Sequence, residues 1–181
     1  MRRGRSLGER SPQWADRWLR LGSRLAAEFG DAHTALVALR RARGDRTGTL
    51  AAAQAAADRF PDAAGAWMQL AGAWLFVFRQ ADALAAYERA IAVEERADAL
   101  SGAGDLYLRQ GRFRDAAARF ARSYAAGGDP AALLANARAL ASAGDGGAAE
   151  QALALWASVV PDGARRIDEE RARLKPRAAA G

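Results

Sequence analysis

A pattern of large and small apolar residues recurs along this chain every 33 residues, and no other feature restricts the possible fold as strongly. The clearest copy comprises Trp67, Leu70, Ala71, Trp74, Ala83, Tyr87 and Ala90. The two copies that follow are Leu100, Ala103, Gly104, Tyr107, Ala116, Phe120 and Ser123, and then Leu133, Asn136, Ala137, Leu140, Ala149, Leu153 and Trp156. A weaker copy precedes them by 34 residues: His33, Leu36, Val37, Arg40, Thr49, Ala53 and Ala56. Consecutive copies of one unit bury their apolar faces against each other, so we expect a stacked repeat array.

Each copy predicts two amphipathic helices, because its apolar residues recur every three to four positions. The chain is rich in alanine, the best helix former, and lacks the clusters typical of strands, so the predicted fold is all-α. Asp62, Asp98 and Asp129 are the predicted amino-terminal caps of first helices. The turns within repeats are assigned to Gly44, Arg79, Gly111 and Gly146.

This pattern resembles the tetratricopeptide repeat family, whose signature has a tryptophan, a Leu-Gly step, a tyrosine, and then alanine, an aromatic residue and proline. The resemblance covers 31–162, with units at about 31–61, 64–95, 97–128 and 130–161. It departs from the family in its 33-residue spacing, in Glu95 and Gly128 at the closing proline, and in Asn136 at a leucine. The resemblance implies an α-solenoid of stacked helix-turn-helix repeats.

The two ends of the chain predict capping helices beside short disordered tails at 1–11 and 176–181. Residues 12–30 predict an amphipathic helix with an apolar stripe of Trp14, Trp18, Leu21 and Leu25 and a basic stripe of Arg17, Arg20 and Arg24. We expect it to cover the first repeat, although a membrane surface or a partner protein suits the same pattern. Residues 163–175 predict a charged, solvated capping helix in which the Glu169-Glu170 pair faces water.

The sequence offers few groups for catalysis or metal binding. Cysteine is absent, and His33, the single histidine, falls at a core-facing position. A thiolate zinc site is therefore excluded, and no catalytic triad is expected. No glycine-rich loop follows a strand, so no nucleotide fingerprint is present. We predict a non-enzymatic protein without cofactor, metal or small-molecule substrate. No apolar stretch is long enough to span a membrane, and the cytoplasm is the default location.

The resemblance implies that the first helices of successive repeats line a concave groove that binds another protein. Thr34, Met68 and Ser101 stand where relatives that bind chaperone tails carry lysine, which disfavours that partner. The groove is instead apolar with flanking arginines, which suits a helical or extended protein segment with acidic flanks. The predicted partner-binding residues are Arg41, Met68, Gly72, Leu75, Phe76, Asp105, Leu108, Arg109 and Arg138.

Three alternatives stay open at this point. In the first, the amino-terminal helix or a neighbouring repeat covers Leu75 and Phe76 and closes the groove. In the second alternative, the chain is an accessory subunit of a larger assembly. In the third it binds nucleic acid or an anionic membrane through its basic tail, because half of the net charge of +6 lies in residues 1–12.

Overall fold

The computed structural model describes residues 30–174, and this range contains nine α-helices and no strand. Their bounds are α1 Gly30–Ala42, α2 Arg46–Arg59, α3 Ala64–Phe76, α4 Gln80–Val93, α5 Ala97–Arg109, α6 Phe113–Ala125, α7 Ala131–Ser142, α8 Gly146–Val159 and α9 Gly163–Leu174. The all-α prediction is therefore confirmed over these residues. The predicted tails at 1–11 and 176–181 and all but the last residue of the predicted helix at 12–30 lie outside the described residues.

The helices form two compact units that divide between Ala83 and Leu84, within α4. In the first unit α2 packs against both α1 and α3, and α1 also touches α3. In the second unit each helix from α5 to α9 packs against the next one along the chain, and α9 also reaches α7. Contacts between sequence neighbours are what a repeat architecture requires, because each unit buries its apolar face against the adjacent unit.

The turns that close α1, α3, α5 and α7 share one backbone conformation. Each contains a residue in the left-handed region: Gly44 (φ 70°), Phe78 (φ 63°), Gly111 (φ 71°) and Gly144 (φ 81°). The amide of the next residue bonds back to the carbonyl five positions earlier, as in Asp45 to Arg40 and Arg112 to Tyr107, both within 3.0 Å. The predicted turn residue Arg79 does lie in the turn before α4, one position after the left-handed Phe78. The assignment of Gly146 is wrong, because Gly146 begins α8 and the left-handed residue is Gly144.

The helix caps also differ from the prediction. Asp45 and Asp145 cap α2 and α8, where their carboxylates accept from the amides of Gly48 (2.8 Å) and Ala148 (3.0 Å). The cap residues of α3 and α5 are Ala63 and Arg96, which make no capping side-chain bond, so the assignment of Asp62 and Asp98 as caps is wrong. Asp129 does accept from the amide of Ala131 at 2.7 Å, just before α7.

Small side chains let the helices of the second unit approach closely. A Cβ atom on Gly104 would lie 2.9 Å from the ring of Phe120, which is itself buried. The buried core here comprises Ala103, Tyr107, Ala116, Ala117, Phe120 and Ala139. A second cluster of Leu133, Ala137, Leu153 and Trp156 packs against α9 through Ile167 and Leu174.

One predicted surface residue of α9 is buried. Glu170 is 2% exposed, and its carboxylate accepts from Arg138 of α7 at 2.9 Å and from Arg173 one turn further along α9. The prediction that the Glu169-Glu170 pair faces water is therefore wrong for Glu170, while Glu169 is exposed. Neighbouring residues on a helix point about 100° apart, so one of the pair faces α7 when the other faces solvent.

Candidate functional site

A pocket of about 390 Å³ lies in the first unit beside α1 and α3. Helix α1 contributes four residues, and the last three follow the first by three, four and seven positions, so all four lie on one face of the helix. Helix α3 contributes five residues that likewise share one face. Thr49 of α2 also lines it. The lining residues in the described part of the chain are Thr34, Val37, Ala38, Arg41, Thr49, Gly65, Met68, Gln69, Gly72 and Ala73.

Three of the predicted groove residues meet in this pocket. Arg41 stands on α1, and Met68 and Gly72 stand one turn apart on α3. Within residues 30–174, only the Arg41 guanidinium, at 3.9 Å, lies within 4 Å of the place where a Cβ atom on Gly72 would be. The described helices therefore do not require glycine at position 72 for close packing, although glycine inside a helix costs about 1 kcal/mol relative to alanine. Among these helices, the missing side chain leaves space in the pocket.

Polar atoms of Thr34 and Gln69 form one wall of the pocket. The Gln69 amide Nε2 donates to the Thr34 hydroxyl at 2.5 Å, which joins α3 to α1. The other amide atom, Gln69 Oε1, is buried and accepts no hydrogen bond from the part of the chain that the structure describes. A buried acceptor without a donor is unfavourable by about 1–3 kcal/mol, so a ligand that supplied a donor here would gain that energy back.

Arginines stack on the aromatic residues at the end of α3. The Arg41 and Arg46 guanidinium carbons each lie 5.8 Å from the centre of the Phe76 ring. Arg46 also lies 5.1 Å from the centre of the Phe78 ring, and Phe78 is 74% exposed. Phe76 was predicted as part of the apolar groove floor, but two cations cover it. Leu75 is partly buried, and neither Leu75 nor Phe76 lines the pocket.

The remaining predicted groove residues lie in the second unit. Asp105 and Arg109 are exposed on α5, and Leu108 packs against the core cluster of α5 and α6. Although Asp105 reaches solvent, partial desolvation by the surrounding protein raises the pKa of its carboxyl, against the opposing effect of the Arg109 charge. Arg138 donates to Glu170 of α9, so its guanidinium is engaged within the fold.

Two residues of this region, Arg46 and Phe78, are absent from the set predicted from sequence. Arg46 begins α2 and Phe78 stands in the turn after α3, so neither belongs to the face of a first helix from which groove residues were chosen. A signal was nevertheless present, because Phe78 lies 34 residues after Gly44 and 33 before Gly111. Alignment of the turns marks it as the exception among glycines.

The described residues contain no group of three or more histidine, aspartate or glutamate side chains placed to hold a metal ion. Within 30–174, no helix combines the length and apolar character needed to cross a membrane. His33 is buried in the first unit, where its ring meets Phe60 edge-on at 5.5 Å, in line with its predicted core position.

No protein-family model matches the sequence. No curated protein matches it either. Solved structures do match: MamA aligns over 91% of this chain and 86% of its own, at 17% identity and a TM-score of 0.65. A thermophilic tetratricopeptide repeat protein of Thermus thermophilus aligns over 86% of this chain and 88% of its own, at 19% identity and a TM-score of 0.60. A tetratricopeptide repeat protein of Parabacteroides merdae aligns over 88% and 64%, at 18% identity and a TM-score of 0.66. Likenesses at this level of identity show the fold.

Proposed function

We propose that this chain, which has the tetratricopeptide-like α-solenoid fold, is a non-enzymatic scaffold or adaptor that binds a helical or extended segment of another protein. One observation carries the proposal. The first helices of the first two repeats leave a pocket of about 390 Å³ beside them, and residues expected on the binding face line it. That volume falls within the range of pockets that bind small molecules, and a pocket of this size also accommodates a few side chains of a bound peptide.

The lining of the pocket suits an apolar side chain on a polypeptide backbone. Val37, Ala38, Met68 and Ala73 provide apolar walls for the side chain. The unpartnered Oε1 atom of Gln69 provides an acceptor, which a backbone N–H group of the bound segment satisfies after rotation of the amide. Arg41 at the rim favours an acidic residue beside the apolar one.

The ionisable side chains that line the pocket favour a role in binding and not in catalysis. Among the described residues that line the pocket, Arg41 is the one ionisable side chain. Arginine stays protonated in proteins, so it neither abstracts a proton nor attacks a substrate as a nucleophile. It does hold a carboxylate by paired hydrogen bonds, which is a recognition role. A cytoplasmic location and a binding role for Asp105, Leu108 and Arg109 remain predictions.

The test is to block the pocket without unfolding the chain. Gly72→Leu places a leucine side chain in the pocket. The described helices leave space for this side chain, and leucine has a higher helix propensity than glycine, so the variant should fold. Ala154→Leu adds the same side chain at an exposed site on α8 and is the matched control. Binders are first selected from a displayed library of random peptides with the full chain, and their affinities are measured by fluorescence anisotropy.

We expect Gly72→Leu to weaken the selected peptides about tenfold or more, because it occupies the site of the apolar anchor. Ala154→Leu should leave the affinities unchanged, and circular dichroism should show native helix content in both variants. Peptides that bind Gly72→Leu as tightly as the original chain would place the site elsewhere and refute the proposal. A library that yields no binder to the full chain would refute it as well.

A further inference from the structure

The turn after α3 differs from the three turns that share its backbone conformation. Gly44, Gly111 and Gly144 occupy the left-handed position after α1, α5 and α7, and Phe78 occupies it after α3. The amide of each of these residues bonds to the carbonyl three positions earlier, at 3.0 Å in all four turns. The four turns therefore have the same backbone conformation, with glycine in three of them and phenylalanine in the fourth.

Phenylalanine is an unfavourable residue in this conformation. Its Cβ atom crowds the backbone at φ 63°, which glycine avoids. Burial does not compensate for the strain, because the side chain is 74% exposed and ranks first among the exposed large hydrophobic residues of the described chain. A strained and exposed aromatic residue, at a position where the other repeats use glycine, points to a contact outside the fold.

Two arginines near Phe78 have no carboxylate partner among residues 30–174. Arg46 stacks on Phe78 and Phe76, and Arg41 stacks on Phe76, but no ion pair joins either to the residues described here. The carboxylates of the nearby turns are already engaged. Asp45 accepts from the Gly48 amide and the Thr47 hydroxyl, and Asp82 pairs with Arg79 at 2.7 Å.

A guanidinium stacked on a ring keeps its N–H groups free at its edge. That edge matches a carboxylate, which accepts two parallel hydrogen bonds from it, and the stacking limits the rotamers of the arginine before binding. Arg46 therefore presents a prepared carboxylate site directly beside an exposed aromatic surface.

We infer that Phe78, Arg46 and Arg41 form a docking surface for an acidic protein segment. A carboxylate of the segment pairs with Arg46, and an apolar side chain next to it packs on the Phe78 ring. The inference rests on the proposed function, because Arg41 also lines the pocket between α1 and α3 and joins the two surfaces. The mostly apolar pocket favours a polypeptide over a nucleic acid, whose affinity comes from phosphate contacts along an extended basic surface.

The full chain and three variants test this surface. Phe78→Gly removes the ring and supplies the residue that the other turns use, so this variant should unfold at the same denaturant concentration as the original chain or at a higher one. Arg46→Gln removes the charge. Arg165→Gln, on the exposed face of α9, is the matched control for loss of one positive charge. The probe is the same displayed library of random peptides.

We expect the selected peptides to be enriched in aspartate and glutamate beside an apolar residue. Phe78→Gly and Arg46→Gln should each weaken these peptides about tenfold, whereas Arg165→Gln should leave them within about twofold. Peptides that Gly72→Leu weakens but Phe78→Gly and Arg46→Gln do not would overturn the inference and leave the proposed function standing. Peptides without acidic enrichment would overturn it too.

Two other occupants of the surface are separable by measurement. A fluorescein-labelled single-stranded DNA that binds the chain, and loses affinity in Phe78→Gly and Arg46→Gln, would assign the surface to nucleic acid and overturn the inference. Sedimentation velocity addresses a second copy of this chain. A dimer that Phe78→Gly converts to a monomer would assign the surface to self-association, again against the inference.

Discussion

Two glycines, each in the first helix of a repeat, have different structural roles. Gly104 of α5 lies against the Phe120 ring, where a Cβ atom would approach to 2.9 Å. Phe120 is 2% exposed and belongs to the buried core cluster. Gly72 of α3 faces the pocket, and the nearest atom to its missing Cβ is the Arg41 guanidinium at 3.9 Å. The first glycine is needed for packing, and the second keeps a cavity open.

Substitution by alanine separates these two roles. We expect Gly104→Ala to lower the free energy of unfolding by roughly 1–3 kcal/mol. The new methyl group forces the ring and the helix apart, and the energy of this displacement exceeds the gain in helix propensity from alanine. Gly72→Ala should raise it by about 0.5–1 kcal/mol, because alanine gains helix propensity without a clash. Urea denaturation followed by circular dichroism measures both. Equal effects of the same sign would contradict this explanation.

Helix α9 shows how a charged segment is held against a repeat. Its apolar contacts are limited to partly buried side chains such as Ile167 and Leu174. Ion pairs supplement them: Glu170 accepts from Arg138, and Arg171 donates to Glu150 of α8. Burial raises the pKa of the Glu170 carboxyl, but the hydrogen bond from Arg138 and the charges of Arg173 and Arg138 outweigh it, and the net pKa is lowered.

The lowered pKa makes the attachment of α9 sensitive to acid. Glu170 binds its proton less readily in the folded chain than in the unfolded chain, so its contribution is present above the unfolded pKa and is lost as the pH falls through the folded pKa. Glu170→Gln should therefore reduce the loss of stability in acid. Urea midpoints measured from about pH 7 down to about pH 3 test this, with the exposed Glu169→Gln as control. An unchanged pH profile in Glu170→Gln would contradict it.

At pH 7 the partner of Glu170 should matter as well. Arg138→Ala leaves a buried carboxylate paired with Arg173 alone. We expect a loss of roughly 1–3 kcal/mol in the free energy of unfolding, less than for a fully buried pair because the Arg138 side chain is 51% exposed. If Arg138→Ala were as stable as the original chain, the ion pair would be a surface contact of little energetic weight.

At the scale of the whole molecule, the contacts of the second unit run between sequence neighbours. Helices α6, α7 and α8 each pack against a helix on both sides, whereas α9, the last described helix, packs mainly on α8 and less on α7. A repeat array of this kind opens locally, and its terminal elements open most readily. Stability should therefore differ from helix to helix within this unit.

Hydrogen exchange measures this difference directly. We expect the amides of α9 to exchange fastest and those of α6 and α7 slowest, because the latter lie between packed neighbours. Arg138→Ala should accelerate exchange in α9 with little change in α6. Uniform protection from α5 to α9 would show a single cooperative unit and contradict this expectation. Peptide-level exchange read by mass spectrometry resolves the helices.

The candidate site could be predicted only in part. Arg41, Met68 and Gly72 were identifiable because they lie beside the apolar stripe of a first helix, and they line the pocket. Arg46 and Phe78 lie outside these helical faces, and helical periodicity carries no information about a turn. Phe76 was placed in an open groove, since sequence spacing does not reveal that two arginines stack on its ring.

By itself, the sequence determined the helical repeat and its period, because burial every three to four positions is a local property of the chain. Structures with the same fold and the described helices confirm that reading. Only the tertiary structure decided that Glu170 is buried on Arg138, 32 positions away in sequence. It likewise decided that Gly72 opens a pocket and that Phe78 stays exposed in a strained turn. These features depend on how neighbouring helices approach each other, and periodicity in one helix does not encode that distance.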